Sequence, residues 1–80
     1  MKNIVIASAT RTPVGSFNGI FSKISASDLG AATITSALER ANVVPEDVSE
    51  VIMGQILTAG AGQNPARQAA MAANLPIEVP

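Results

Sequence analysis

Apolar residues recur along this chain in two rhythms, and the contrast predicts its elements. Ile4-Val5-Ile6-Ala7 is continuously apolar and β-branched, the pattern of a short strand covered on both faces, as in the parallel sheet of an α/β fold. It predicts a buried strand over Asn3 to Ser8. Glu50-Val51-Ile52-Met53-Gly54-Gln55-Ile56-Leu57 is a second such run, and it predicts a strand parallel to the first, with Gly54 marking a bulge or a close backbone approach. Between them Ala31, Ile34, Leu38 and Ala41 fall at helical spacing on one face. That helix begins near Ala26, capped by Ser25 or Ser27. Asp28 lies in its first turn at capping-box spacing from Ser25, and Asn42 is the left-handed terminator. Strand, crossover helix and strand make a βαβ unit, whose crossover is right-handed.

The remaining segments are short. Pro45-Glu46-Asp47-Val48 predicts one helical turn with proline first and carboxylates at the favourable dipole end. A second short helix runs from Pro65 to about Ala73, is ended by Asn74-Leu75-Pro76, and is followed by Ile77-Glu78-Val79-Pro80 as the approach to another strand. Arg11 to Gly19 is a long loop punctuated by Pro13, Gly15 and Asn18-Gly19. Phe17, Ile20 and Phe21 are too apolar for a solvated connection, so the loop is expected to fold back onto a surface or under a neighbouring subunit. Two strands and two helices cannot cover both faces of a sheet. The expectation is therefore one partial domain over residues 1–80, a segment of something longer.

Composition narrows the function classes. Apolar residues make up 48% of the chain but only Phe17 and Phe21 are aromatic, so the core consists of small side chains, each contributing little at about 25 cal/mol per Å². Five basic and six acidic residues give a formal net charge of −1, which argues against nucleic acid or anionic membrane as partners. No apolar run approaches the roughly 18 residues of a membrane span, and the start lacks a signal-peptide core, so the expected location is cytoplasmic. Cysteine and histidine are both absent. The chain therefore supplies no thiolate nucleophile, imidazole base or Cys/His zinc site, and no catalytic, substrate-binding or metal-ligating residue is assigned.

The stretch with the most local chemistry is Gly60-Ala61-Gly62-Gln63-Asn64-Pro65-Ala66-Arg67. Asn64 is suited to the N-cap and Pro65 to the next position. Arg67 places a cation near the positive end of the helix dipole and so calls for a negative partner. A carboxylate from another element or subunit is the simpler reading, and an anionic substrate group the functional one. A dinucleotide fingerprint would need glycine where Pro65 stands, and no Lys-Ser or Lys-Thr follows as a phosphate loop requires. Gln63, Asn64, Arg67 and Arg11, the last just beyond the first strand, are structural or interface candidates. Ser8, Ser16 and Ser22 have no local base, and Met53 and Met71 read as core or interface filler.

Taken together, Ile4 through Gly19, Val51-Ile52-Met53-Gly54-Gln55 and Gly62 through Ala70 closely resemble the opening of the thiolases, in one register across essentially the whole chain. Val14-Gly15-Ser16-Phe17-Asn18-Gly19 is more like the biosynthetic acetyl-CoA acetyltransferases than the degradative 3-ketoacyl-CoA thiolases. The resemblance implies an incomplete thiolase-like α/β fold, the start of the first half, within an enzyme that works as a dimer or tetramer. It implies coenzyme A thioesters as substrates and no separate cofactor: two acetyl-CoA give acetoacetyl-CoA and free CoA, reversibly. In the family a cysteine thiolate takes the acyl group, a histidine activates it and a second cysteine removes the α-proton. None of these residues is in this sequence. The expectation is an N-terminal part without activity of its own, completed by the remainder of the chain or a complementing chain. The alternative is a stand-alone, non-catalytic α/β interaction or dimerisation module.

Overall fold

Ser25 opens the one long helix. In the computed structural model, which describes residues 3–80, its hydroxyl accepts from the Asp28 N–H at 3.1 Å, and helix α1 runs Ala26–Ala41. Asn42 ends it at φ 57°, ψ 38°. Its N–H reaches the Glu39 carbonyl while the Val43 N–H reaches Leu38, so the exposed carbonyls of the last turn are satisfied. Pro45–Asp47 is a single 3₁₀ turn, shorter by one residue than the sequence implies. Helix α2 spans Pro65–Ala72 and stops one residue before the predicted end. Asn74, at φ 64°, repeats the device used at Asn42, and the Leu75 N–H bonds back to the Ala70 carbonyl at 3.1 Å.

The two helices pack through their smallest residues. A Cβ built on Gly30 would stand 3.2 Å from the Ala69 Cβ and 3.0 Å from the Met53 Cε, so at Gly30 α1 approaches α2 and Met53 with no room to spare. Ala69 is 1% exposed, and Ala31, Ala70, Ala73, Leu75 and Val79 complete the buried apolar set. Ile34, Leu38 and Ala41, predicted to share the buried face of α1, are only half-buried. This core is small-residue packing, as the composition implies, and each side chain contributes correspondingly little burial.

The predicted strands differ from expectation. Among the described residues neither Asn3–Ser8 nor Glu50–Leu57 is hydrogen-bonded into a sheet, and Ile4 is 98% exposed. Both runs nevertheless border one groove of about 460 Å³ along α1, lined at one side by Ser8, Ala9 and Thr10 and at the other by Val51, Ile52 and Met53. Thr10 and Ser36 hydroxyls meet at 3.3 Å, and the Arg40 Nη1 donates to the Ala9 carbonyl at 3.2 Å, tying the first run to α1. The reason for the missing ladder is physical: a strand's backbone bonds all go to neighbours, and two strands by themselves are marginal in water.

Three smaller expectations are also corrected. Gly54 approaches nothing, since a Cβ there meets no atom within 4 Å. The 11–19 loop is ordered, with the Gly19 N–H donating to the Ser16 carbonyl at 2.8 Å and Asn18 at φ 55°, yet Phe17 points outward at 96% exposure, so of the two expected placements folding back onto this chain is ruled out and cover by a neighbouring subunit is left. Only Phe21 turns inward, its ring against Gly15. The segment from Ile77 forms a turn, with the Val79 N–H on the Pro76 carbonyl, before Pro80 accepts from the Val51 N–H at 2.9 Å. The Cα radius of gyration, 13.8 Å, exceeds the about 11.6 Å of a compact chain of this length.

Candidate functional site

The mouth of α2 gathers the polar groups. Asn64 sits at φ 44°, where a short polar side chain is tolerated, and its Oδ1 accepts from the Arg67 N–H at 3.1 Å. This is the predicted cap reached from a left-handed backbone instead of the usual extended one. Pro65 follows at the first helical position.

Arg67 folds back across the helix start. Its Nη1 donates to the Val79 carbonyl at 2.7 Å and its Nη2 to the Ile77 carbonyl at 2.5 Å. The negative partner expected from the dipole argument is thus a pair of backbone oxygens, not a carboxylate. A planar guanidinium presents parallel N–H groups, and alternate carbonyls of the 76–79 turn match that fork as a carboxylate would. A small cavity of about 70 Å³ lies beside it, bordered by Val51, Ala70 and Pro80.

Gln68 is the residue that sequence reasoning missed. Its Nε2 donates to the carbonyls of Ala61 at 2.7 Å and Gln63 at 2.9 Å, and its Oε1 accepts from the Ser27 hydroxyl at 3.3 Å. One amide therefore joins the Gly60 loop, the start of α1 and α2. Gly62, at φ 81°, lets the loop pass close: a Cβ there would lie 3.0 Å from that Nε2. The available signal was position, because Gln68 is one turn beyond the cap, facing the loop that enters the helix. Gln63 takes part through its carbonyl.

Next to this mouth lies a cavity of about 280 Å³, lined by Ser27, Met53, Gln55, Thr58, Asn64 and Ala69 among others. Its chemistry is limited to hydroxyl and amide hydrogen bonding against an apolar wall. Arg11 lies apart, lining a different cavity with Thr10 and Arg40, and its hydrogen bond to the Thr12 carbonyl is long at 3.4 Å. Gln63, Asn64 and Arg67 are therefore brought together and Arg11 is not. Among the described residues no group of three or more potential metal ligands occurs, and no helix is long and apolar enough to cross a membrane.

Known proteins place this geometry. The family described as Thiolase, N-terminal domain, matches residues 4–80. An acetyl-CoA acetyltransferase of Cupriavidus necator is 65% identical over 80 residues, covering 100% of this chain and 20% of that protein. One from Clostridioides difficile is 50% identical over 80 residues, covering 100% of this chain and 75% of that protein. The cytosolic acetyl-CoA acetyltransferase of Rattus norvegicus is 54% identical over 77 residues, 96% of this chain and 19% of the other. Among solved structures, a thiolase from Ascaris suum in complex with coenzyme A superposes with a TM-score of 0.86 at 39% identity, over 89% of this chain and 19% of that one. The chain spans about 20% of the length of the Cupriavidus necator relative.

Proposed function

This chain belongs to the thiolase family through its match to the N-terminal domain, and from that premise we propose that it forms the opening part of an acetyl-CoA acetyltransferase. The parent reaction is the reversible condensation of two acetyl-CoA to acetoacetyl-CoA and CoA. The observation that carries this reading is 65% identity to such an enzyme along all 80 residues. Coenzyme A is the ligand class, in keeping with the complex of the Ascaris suum thiolase.

The division of labour follows from the residues present. With no cysteine and no histidine among its 80 residues, the chain provides neither the acyl-accepting thiolate nor its base. Its part is scaffold, as one partial domain over residues 1–80. Asn3–Ser8 and Glu50–Leu57 become parallel core strands once the rest of the fold covers them, with α1 as their crossover. The Val51 N–H already bonds to a neighbouring segment, at the Pro80 carbonyl. Gln63, Asn64, Arg67 and Arg11 are structural or interface residues in this reading. Arg67 fastens the 76–79 turn to α2, supported by its two carbonyl contacts. A cytoplasmic parent is in keeping with a relative that is named cytosolic, and a homo-oligomeric one with the family resemblance alone.

Acetoacetyl-CoA cleavage tests the proposal. The 80-residue chain alone is expected to give no turnover above buffer at any protein concentration. Fused in place of the matching segment of the Cupriavidus necator enzyme, it is expected to support turnover. Turnover by the chain alone, or a well-folded but inactive fusion, overturns the reading.

A further inference from the structure

The turn at residues 16–19 is built from two neighbours that can react with each other. Asn18 holds φ 55°, a left-handed backbone that a short polar side chain or glycine tolerates. Gly19 is required beside it. A Cβ there would stand 2.9 Å from the Ser16 carbonyl oxygen and 3.2 Å from the Ser16 nitrogen, both main-chain atoms. The geometry that closes the turn therefore selects Asn-Gly, and asparagine is a thermolabile residue. With no side chain on Gly19, nothing of its own shields its nitrogen from the Asn18 side-chain amide.

The other asparagines show what holds back the same reaction elsewhere. Asn42, Asn64 and Asn74 share the left-handed backbone, at φ 57°, 44° and 64°. Asn64 is followed by Pro65, whose nitrogen has no proton to lose. Asn42 and Asn74 are followed by Val43 and Leu75, whose N–H groups close helix ends on the Leu38 carbonyl at 3.0 Å and the Ala70 carbonyl at 3.1 Å. Freeing either nitrogen unravels a helix end. Asn3 is followed by Ile4, whose β-branch crowds the approach. The Gly19 N–H is held by one bond, to the Ser16 carbonyl at 2.8 Å, in a turn outside both helices. Such a turn opens locally, with α1 and α2 intact.

We propose that Asn18 is a modification site, converted spontaneously to isoaspartate and aspartate through a cyclic imide with Gly19. When the turn opens, hydroxide takes the proton of the Gly19 nitrogen, which bonds to the Asn18 Cγ. The Cγ–Nδ2 bond then breaks, and the nitrogen leaves as ammonia after taking a proton from water. Water next adds to one of the two ring carbonyls and breaks its bond to the Gly19 nitrogen. Attack at Cγ restores the ordinary main chain as aspartate. Attack at the main-chain carbonyl carbon leaves Gly19 attached through Cγ, as isoaspartate. In sum one water enters and one ammonia leaves, with no oxidant or reductant. Either product adds one negative charge to a formal net charge of −1, beside Phe17. Isoaspartate also lengthens the main chain of the turn by one carbon, which shifts the Gly19 N–H away from the Ser16 carbonyl. The partner class is a methyltransferase that recognises isoaspartyl carboxylates. The inference is independent of the proposed function.

The test is incubation of the folded chain in mildly alkaline buffer, followed by trypsin and mass spectrometry. Trypsin cuts after Arg11 and Lys23, so Thr12–Lys23 carries Asn18 and no other asparagine. That peptide should gain one mass unit at least severalfold faster than Asn3–Arg11, Ala41–Arg67 or Gln68–Pro80. It should separate into two product forms, one of which accepts a methyl group from an isoaspartyl methyltransferase. The rate should rise with pH, because the attacking nitrogen must first lose its proton. Asn18→Gly takes φ 55° without strain, so it should abolish both the mass gain and the methylation while helical circular dichroism and melting temperature stay unchanged. The inference is overturned if Thr12–Lys23 changes no faster than the other peptides, if it changes only in denaturant, if no product is methylated, or if the gain persists in Asn18→Gly.

Discussion

The α1–α2 half and the two apolar runs are built from similarly apolar sequence and end in opposite states. In the helical half Gly30, Ala31, Ala69 and Ala70 are buried and every helix end is capped. In the other half the larger side chains Ile4, Ile6 and Ile56 stand in solvent. The difference lies in where each element finds its hydrogen bonds. A helix closes its own bonds within four residues and needs only one covered stripe, whereas a strand depends wholly on its neighbours. Hydrophobicity sets what wants to be buried; connectivity sets what can be buried locally.

That contrast can be broken most forcefully at Ala69. Ala69→Asp puts an unpaired carboxylate at a position that is 1% exposed, and the expected loss is about 3 kcal/mol or more. Helical circular dichroism of the chain should collapse while exchange at Ile4–Ala7 and Ile52–Leu57, whose amides make no backbone hydrogen bond among the described residues, stays as it was. Retained helicity would show that the Gly30–Ala69 approach does not hold the helices together. Arg67→Ala removes two charge-assisted hydrogen bonds, and about 1–2 kcal/mol should go with them. The melting temperature should fall, and exchange at the Val51 amide should accelerate because the turn that positions Pro80 is released. An unchanged Val51 amide would uncouple the clamp from the second run. Asn64→Ala is the mildest, at about 1 kcal/mol for a lost cap. Asn64→Gly should recover part of that loss in thermal melts, since glycine takes φ 44° without strain. Equal losses in the two variants would mean that backbone conformation contributes nothing there.

What could be read in advance follows the same division. Asp28, Asn42 and a cap at Ser25 or Ser27 bound α1 closely because helix-end chemistry is local, and Asn64-Pro65 does the same for the start of α2. Ile4–Ala7 and Val51–Leu57 are legible as segments that want cover on both faces, but not as paired strands, because their partners are not encoded in them. Arg67 was legible as a cation in need of a negative group. Its partners were not, since a backbone carbonyl leaves no mark in the order of side chains. Gln68 went unread for the same reason: two of its three contacts are to the main chain.

The choice of main-chain oxygens by Arg67 has a consequence for conditions under which the fold is held. A guanidinium locked to aspartate or glutamate lets go as the medium turns acidic, when its acceptor takes up a proton. The amide oxygens of Ile77 and Val79 take up no proton in that range. The fastening between α2 and the 76–79 turn is therefore indifferent to acidity, and it keeps the same grip wherever the rest of the chain remains folded.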